Sequence, residues 1–217
     1  MRRELAGLLV FVAGVGIGCS NNTARQPGEG LPFYESAEFT PRWSETVAHT
    51  IGDFSLTTQT GETITRDDLR GRLHVASFIY TRCNVICPTL VKELSKVQAA
   101  IAARDDVLLV SYSVAPRYDS VAVLNAFGAE YSINPVRWKL LTGDEETIYR
   151  LARDSYFADD GRLENNETSA GLLHTEKVLL VDEDGHLRGV YNGSLSFEIK
   201  KLIADIELLR LPDKNLS

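Results

Sequence analysis

In the stretch TRCNVICPTL two cysteines, Cys83 and Cys87, stand four residues apart with Pro88 directly behind the second. Three readings fit such a pair. It can be a redox dithiol, a pair of soft metal donors, or two small inert hydrophobes at the start of a helix. With three residues between them, the second sulfur lies about one helical turn beyond the first, so both can face one side. The gap is one residue longer than in the common Cys-x-x-Cys redox motif. It can still close a disulfide, and it leaves room for an ion between the sulfurs. Two thiolates prefer Cu(I) or zinc over hard cations, but two ligands alone make a weak site. A third donor would have to come from elsewhere, and the chain has four histidines. His49, His74 and His186 read as surface or packing residues. His174 differs because it lies on the loop directly before a predicted strand, Lys177–Asp182.

The elements around these residues follow from hydrophobic period and turn chemistry. LHVASFIY (Leu73–Tyr80) and VLLVSYSV (Val107–Val114) are near-continuous apolar runs, the pattern of strands covered on both faces. Between them, PTLVKELSKVQAAIAAR carries Leu90, Val91, Leu94, Val97 and Ile101 at helical spacing, with Pro88 near the helix start. SVAVLNAFGAEY is a predicted helix capped by Ser120, VRWKLLT a strand, and DEETIYRLARDSY a helix with acids in its first turn. IGDFSLTTQTGETIT forms an N-terminal hairpin about Gln59-Thr60-Gly61, and EKVLLVDEDGHLRGVYNG a second one turning at Asp184-Gly185. SLSFEIKKLIADIELLR closes the chain as an amphipathic helix. A helix N-terminus offers free N–H groups and a positive dipole end, so Cys87 is expected to be a stabilised thiolate, with Arg82 adding to the effect.

The 217 residues carry a net charge of −7, with 44% hydrophobic and 24% charged residues. These are globular values for one domain plus tails, and the acidity argues against nucleic acid as a partner. MRRELAGLLVFVAGVGIGCS has two arginines, an apolar stretch too short to span a bilayer, and a cysteine behind small residues. It looks like a bacterial lipobox, although Gly16 stands where Leu, Val or Ile is usual. Residues 1–18 are then a signal peptide, Cys19 is the lipidated N-terminus, and residues 19–45 are an anchor and flexible tether rich in Gly, Pro and polar residues. Residues 46–217 form the folded domain. This places the protein in the bacterial cell envelope, membrane-anchored and facing the periplasm, where disulfides persist. Residues 1–18 have a net charge of +1 (Arg2, Arg3, Glu4), so the remainder is near −8.

Strands alternating with helices, then a hairpin and a last helix, predict an α/β fold with a mixed central sheet flanked by helices. The order resembles thioredoxin-like folds with an N-terminal β-hairpin and an inserted strand and helix. In that topology the dithiol lies at the carboxyl end of the sheet, and the loop before Lys177 packs against it. Thioredoxin-type oxidoreductases place a cis-proline there. Here no proline occurs between Val136 and Leu211, and His174 occupies the neighbourhood. Cys83, Cys87 and His174 would make a three-coordinate site suited to Cu(I).

FIYTRCNVICP (78–88), SYSVAPRYDS (111–120) and HTEKVLLVDEDGHLRGVYNG (174–193) resemble the Sco/SenC family of copper-binding, thioredoxin-fold proteins, across about Gly52 to Leu209. The resemblance implies Cu(I) or Cu(II) on Cys83, Cys87 and His174, and a membrane-tethered protein. It also implies delivery of copper to cytochrome c oxidase subunit II, or reduction of that subunit's cysteines. The family usually has Ser-Val-Asp-Pro where this chain has Ser113-Val114-Ala115-Pro116, and Val121 stands where a proline often occurs. A carboxylate that tunes the ligands is thereby missing at 115, and Asp119 is the nearest candidate to compensate. Three other functions share the dithiol. One is a periplasmic thiol–disulfide oxidoreductase using Cys83 and Cys87, and another is a copper or redox sensor. The last is a thiol peroxidase, which Tyr80 and Asn84 argue against because that motif wants Pro and Thr there.

Overall fold

The computed structural model describes residues 30–43, 46–84, 86–159 and 175–210. The expected signal peptide, Cys19 and His174 lie outside these residues. Strands β1 (Ser55–Thr58), β2 (Thr63–Thr65), β3 (Leu73–Ile79), β4 (Val107–Ser113), β5 (Trp138–Thr142), β6 (Lys177–Val181) and β7 (Leu187–Asn192) form one sheet in the order β2-β1-β5-β4-β3-β6-β7. The central strands β3, β4 and β5 are parallel, whereas β6 runs antiparallel to β3 and β1 antiparallel to β5. Helices α1 (Ile86–Ala100), α2 (Val121–Glu130), α3 (Glu145–Arg150) and α4 (Ser196–Arg210) complete the predicted mixed α/β architecture.

Every residue of β3 and β4 is buried, as their unbroken apolar runs require of strands sandwiched between layers. Alternation along β3 splits its side chains between two cores. Leu73, Val75 and Ile79 pack with Leu90, Leu94 and Val97 of α1 and Ile199 and Leu202 of α4. Ala76 and Phe78 face the other way, onto Tyr112, Ile148, Leu151 and Tyr156. Helix starts follow their caps: Ser120 accepts from the Val123 amide, and Asp144 from that of Thr147 at 2.8 Å. The helix expected through Tyr156 is α-helical only to Arg150 and continues as a π turn over Leu151–Ser155. The widened turn closes with Tyr156 N–H donating to the Leu151 carbonyl and leaves the Tyr156 ring in the core.

Residues 31–42, expected to be part of the tether, instead pack on the domain. Phe33 and Arg42 exchange two backbone hydrogen bonds, and Tyr34 N–H donates to Leu187 O of the edge strand β7. The buried Arg188 guanidinium holds this strap by donating to the carbonyls of Leu31 (2.6 Å) and Pro32 (3.2 Å) and to Asp182 Oδ2 (3.0 Å). It also lies 3.9 Å from the Phe33 ring centroid. The physical reason is the exposed edge of β7, whose unpaired backbone groups and apolar flank are covered by Leu31, Phe33 and Tyr34. Pro32, Pro41 and the polar residues of the stretch conceal that contact at the level of composition.

His74 points into the second core, where it is 2% exposed. Its Nε2 is 3.1 Å from Tyr156 Oη, which is 2.8 Å from Tyr112 Oη. Burial pushes its pKa down to about 3, so the folded protein keeps this imidazole neutral while an unfolded chain protonates it near pH 6.5. The unfolded state therefore binds more protons between those values, and stability from this group is full above pH 6.5 and falls as pH drops toward 3. The expected slope is up to about 1.4 kcal/mol per pH unit. Urea unfolding of wild type and His74→Gln at pH 7 and pH 5 should show a smaller loss for the variant, and equal losses would contradict the assignment.

Candidate metal centre

Strand β3 ends at Ile79, and the chain turns through Tyr80–Asn84 into α1. Cys83 N–H donates to Tyr80 O at 3.0 Å, closing a tight turn that brings Cys83 back over the helix start. Cys87, the second residue of α1, is buried in the core with Leu90 and Val91, while Cys83 is partly exposed and packs against that core. Both are thiols, and the two sulfurs share a hydrogen bond. The structure thus brings together the two predicted sulfurs at the carboxyl end of the central strands.

Burial pushes the Cys87 thiol up to about 12. A backbone hydrogen bond from Tyr80 opposes the rise, and the hydrogen bond with Cys83 and the charges of Cys83 and Asp119 add to it. The expected thiolate at the helix N-terminus is therefore overturned for Cys87. The dipole end is worth about 1 kcal/mol, less than the cost of a buried anion with no cation beside it. Arg82, expected to help, lies over the Tyr118 ring at 4.8 Å from its centroid.

Three histidines take packing roles, as expected. His49 Nε2 is 2.9 Å from the Ser155 carbonyl and its ring stacks on Phe157 at 4.5 Å. His74 is in the core, and His186 sits edge-on to Phe33 beside Asp182. Among the described residues no cluster of three His, Cys, Asp or Glu side chains is close enough to hold a metal. His174 is outside them, but its neighbour Thr175 leads into β6 at the dithiol end of the sheet. Ala76 pairs with Leu179, which sets Lys177 level with the end of β3. Glu176 O accepts from Gly193 N. A Cβ on Gly193 would stand 2.2 Å from Leu90 Cδ1, one turn beyond Cys87, so only glycine lets the β7–α4 turn approach α1 this closely.

The carboxylate missing at Ala115 reappears four residues on. Asp119 is fully buried and accepts from Thr81 N (3.2 Å), Thr81 Oγ1 (2.5 Å) and Ser113 Oγ (2.6 Å). Its N–H donates to Ala115 O. In the sequence only its nearness to Ala115 marked it, because nothing there links it to Thr81, 38 residues away. The buried, protonated Cys87 should react far more slowly than Cys83. Peptide mapping after brief iodoacetamide treatment of the reduced protein at pH 8 is expected to find label on Cys83 first. Equal labelling of both would refute the burial argument.

The SCO1/SenC family profile matches residues 44–209. The chain is similar to a SCO1/SenC family lipoprotein from Bacillus anthracis, at 27% identity and a TM-score of 0.65, covering 76% of this chain and 97% of that one. It is also similar to BsSco, described with a disulfide switch and as a member of the Sco family of cytochrome c oxidase assembly proteins. That match has 27% identity and a TM-score of 0.63, over 76% and 95% of the two chains. ScoI of Bradyrhizobium japonicum, solved with copper bound, is 26% identical with a TM-score of 0.59, over 75% of this chain and 99% of that one. Its mixed sheet is therefore of the thioredoxin-like kind, and the chain belongs to the SCO1/SenC family.

Proposed function

We propose that this protein is a membrane-tethered copper chaperone in which Cys83, Cys87 and His174 hold Cu(I) and pass it to a copper protein at the membrane, cytochrome c oxidase subunit II by family analogy. The observation that carries the reading is the hydrogen-bonded thiol pair, one sulfur buried and one reachable, at the sheet end where Thr175 leads into β6. Two soft donors suit Cu(I), and the copper-bound ScoI structure supports that cargo. Cys87 holds its proton at neutral pH, so a cation must displace it, which couples binding to proton release. A partly exposed Cys83 gives a partner thiol a way in for ligand exchange. Cys19 as the lipid anchor and an envelope location facing the periplasm belong to the same proposal, supported by the family lipoprotein from B. anthracis.

A second reading, a thiol–disulfide reductase acting on the partner's cysteines, is favoured by the contact between the sulfurs, which suits closure of a disulfide. Against it, Cys87, held protonated at neutral pH, would be slow to resolve a mixed disulfide formed at Cys83. Anaerobic Cu(I) titration against a competing chelator separates the two readings. One Cu(I) per reduced chain is expected, lost in the Cys83→Ser/Cys87→Ser variant. His174→Ala should weaken it by at least the roughly 10–100-fold that an outer-sphere partner costs. Copper held equally tightly without His174 would sink the three-ligand site. Absence of copper binding together with turnover of a disulfide substrate would favour the reductase.

A further inference from the structure

Asp119 has a cost that the fold alone does not explain. A buried carboxylate is expensive unless its oxygens are well satisfied, and this one is fully buried. Among the described residues no basic side chain pairs with it. Its donors are one amide and two hydroxyls, from Thr81 and Ser113. A serine or an apolar residue in its place would pack the end of β4 without burying a charge. The partners show what the carboxylate connects. Ser113 is the last residue of β4 and its Oγ also accepts from Ala115 N at 3.2 Å. Thr81 lies two residues before Cys83, inside the turn closed by Cys83 N–H on Tyr80 O. Asp119 thus ties the cysteine turn, through both backbone and side chain of Thr81, to the rigid end of a central strand. On the other side of Cys83, Asn84 is exposed.

We propose that Asp119 is the positioning residue of the dithiol: by pinning Thr81 to the end of β4 it holds Cys83 within bonding reach of Cys87. This gives the carboxylate a role that the residue at 115 does not supply here. The inference deepens the copper reading, yet it concerns the geometry of the thiols and can be tested without metal. In a glutathione redox buffer, Cys83–SH and Cys87–SH reduce one oxidised glutathione. The Cys83–Cys87 bond forms, the glutathione S–S bond breaks, and the two thiol protons end on the two released glutathione thiols. The equilibrium constant of that exchange measures how well the fold holds the sulfurs together.

Asp119→Ala and Thr81→Val should each lower this constant, by about tenfold for Asp119→Ala, which is about 30 mV for a two-electron couple. In Asp119→Asn the amide oxygen can keep accepting from Thr81 N and Ser113 Oγ, which share one carboxylate oxygen, while its NH2 donates to Thr81 Oγ1, so it should stay within about threefold of wild type (about 14 mV by the same constant). Cu(I) affinity, measured in parallel, should fall in Asp119→Ala and Thr81→Val in the same order as the disulfide constant. A purely structural role would lower the melting temperature of the variants while leaving the potential in place, and that result overturns the proposal. So does an Asp119→Asn protein as impaired as Asp119→Ala. If Asp119→Ala fails to fold, Thr81→Val against Asp119→Asn carries the same comparison. Should wild type bind no Cu(I), the chaperone reading fails by itself, and the disulfide constants still decide the role of Asp119.

Discussion

Burial of β3 and β4 on both faces is the constraint from which the rest of the structure follows. Their side chains are consumed by two cores, α1 with α4 on one side and the α3 and π-turn layer on the other. Solvent-reachable chemistry then sits beyond the strand ends, where backbone leaves the ladder. The turn after β3 is such a place, and the helix that follows must begin at once to cover Val75 and Ile79. Cys87 is drawn into the core by that packing, while Cys83 stays at its margin. The difference in exposure between the two sulfurs is a consequence of where the helix starts.

That placement sets the chemistry of the site. Near a helix N-terminus a sulfur is commonly expected to ionise, but the dipole acts mainly on groups that remain solvated. In the core, desolvation dominates, and a neighbouring carboxylate pushes in the same direction. With Cys87 protonated beside Cys83, the site stays quiet until something replaces that proton. This favours cargo binding over nucleophilic turnover, and it is consistent with a protein whose relatives include a structure with copper bound and one with a disulfide switch.

At the opposite end of the sheet the strap of residues 31–42 serves a different purpose. The β6–β7 hairpin is an edge, and an open edge invites pairing with another chain. Arg188 takes two strap carbonyls and Asp182 at once, and Tyr34 N–H donates to Leu187 O, so the strap covers the start of the edge strand. The chain enters the domain at the hairpin turn, away from Cys83 and Cys87.

Much of this was legible from residue order. Unbroken apolar runs announced β3 and β4, Ser120 and Asp144 marked two helix starts, and Asp184-Gly185 marked the hairpin, because each is a local property of a few neighbouring residues. The Cys83–Cys87 spacing likewise announced a paired-sulfur site. Three things were decided only by tertiary structure. The protonation of Cys87 depends on what buries it, the docking of Leu31–Arg42 on an edge strand some 150 positions away, and the role of Asp119 on the distance to Thr81. All three arise from contacts between distant segments, and solvent exclusion and hydrogen-bond pairing come into being only when those segments meet.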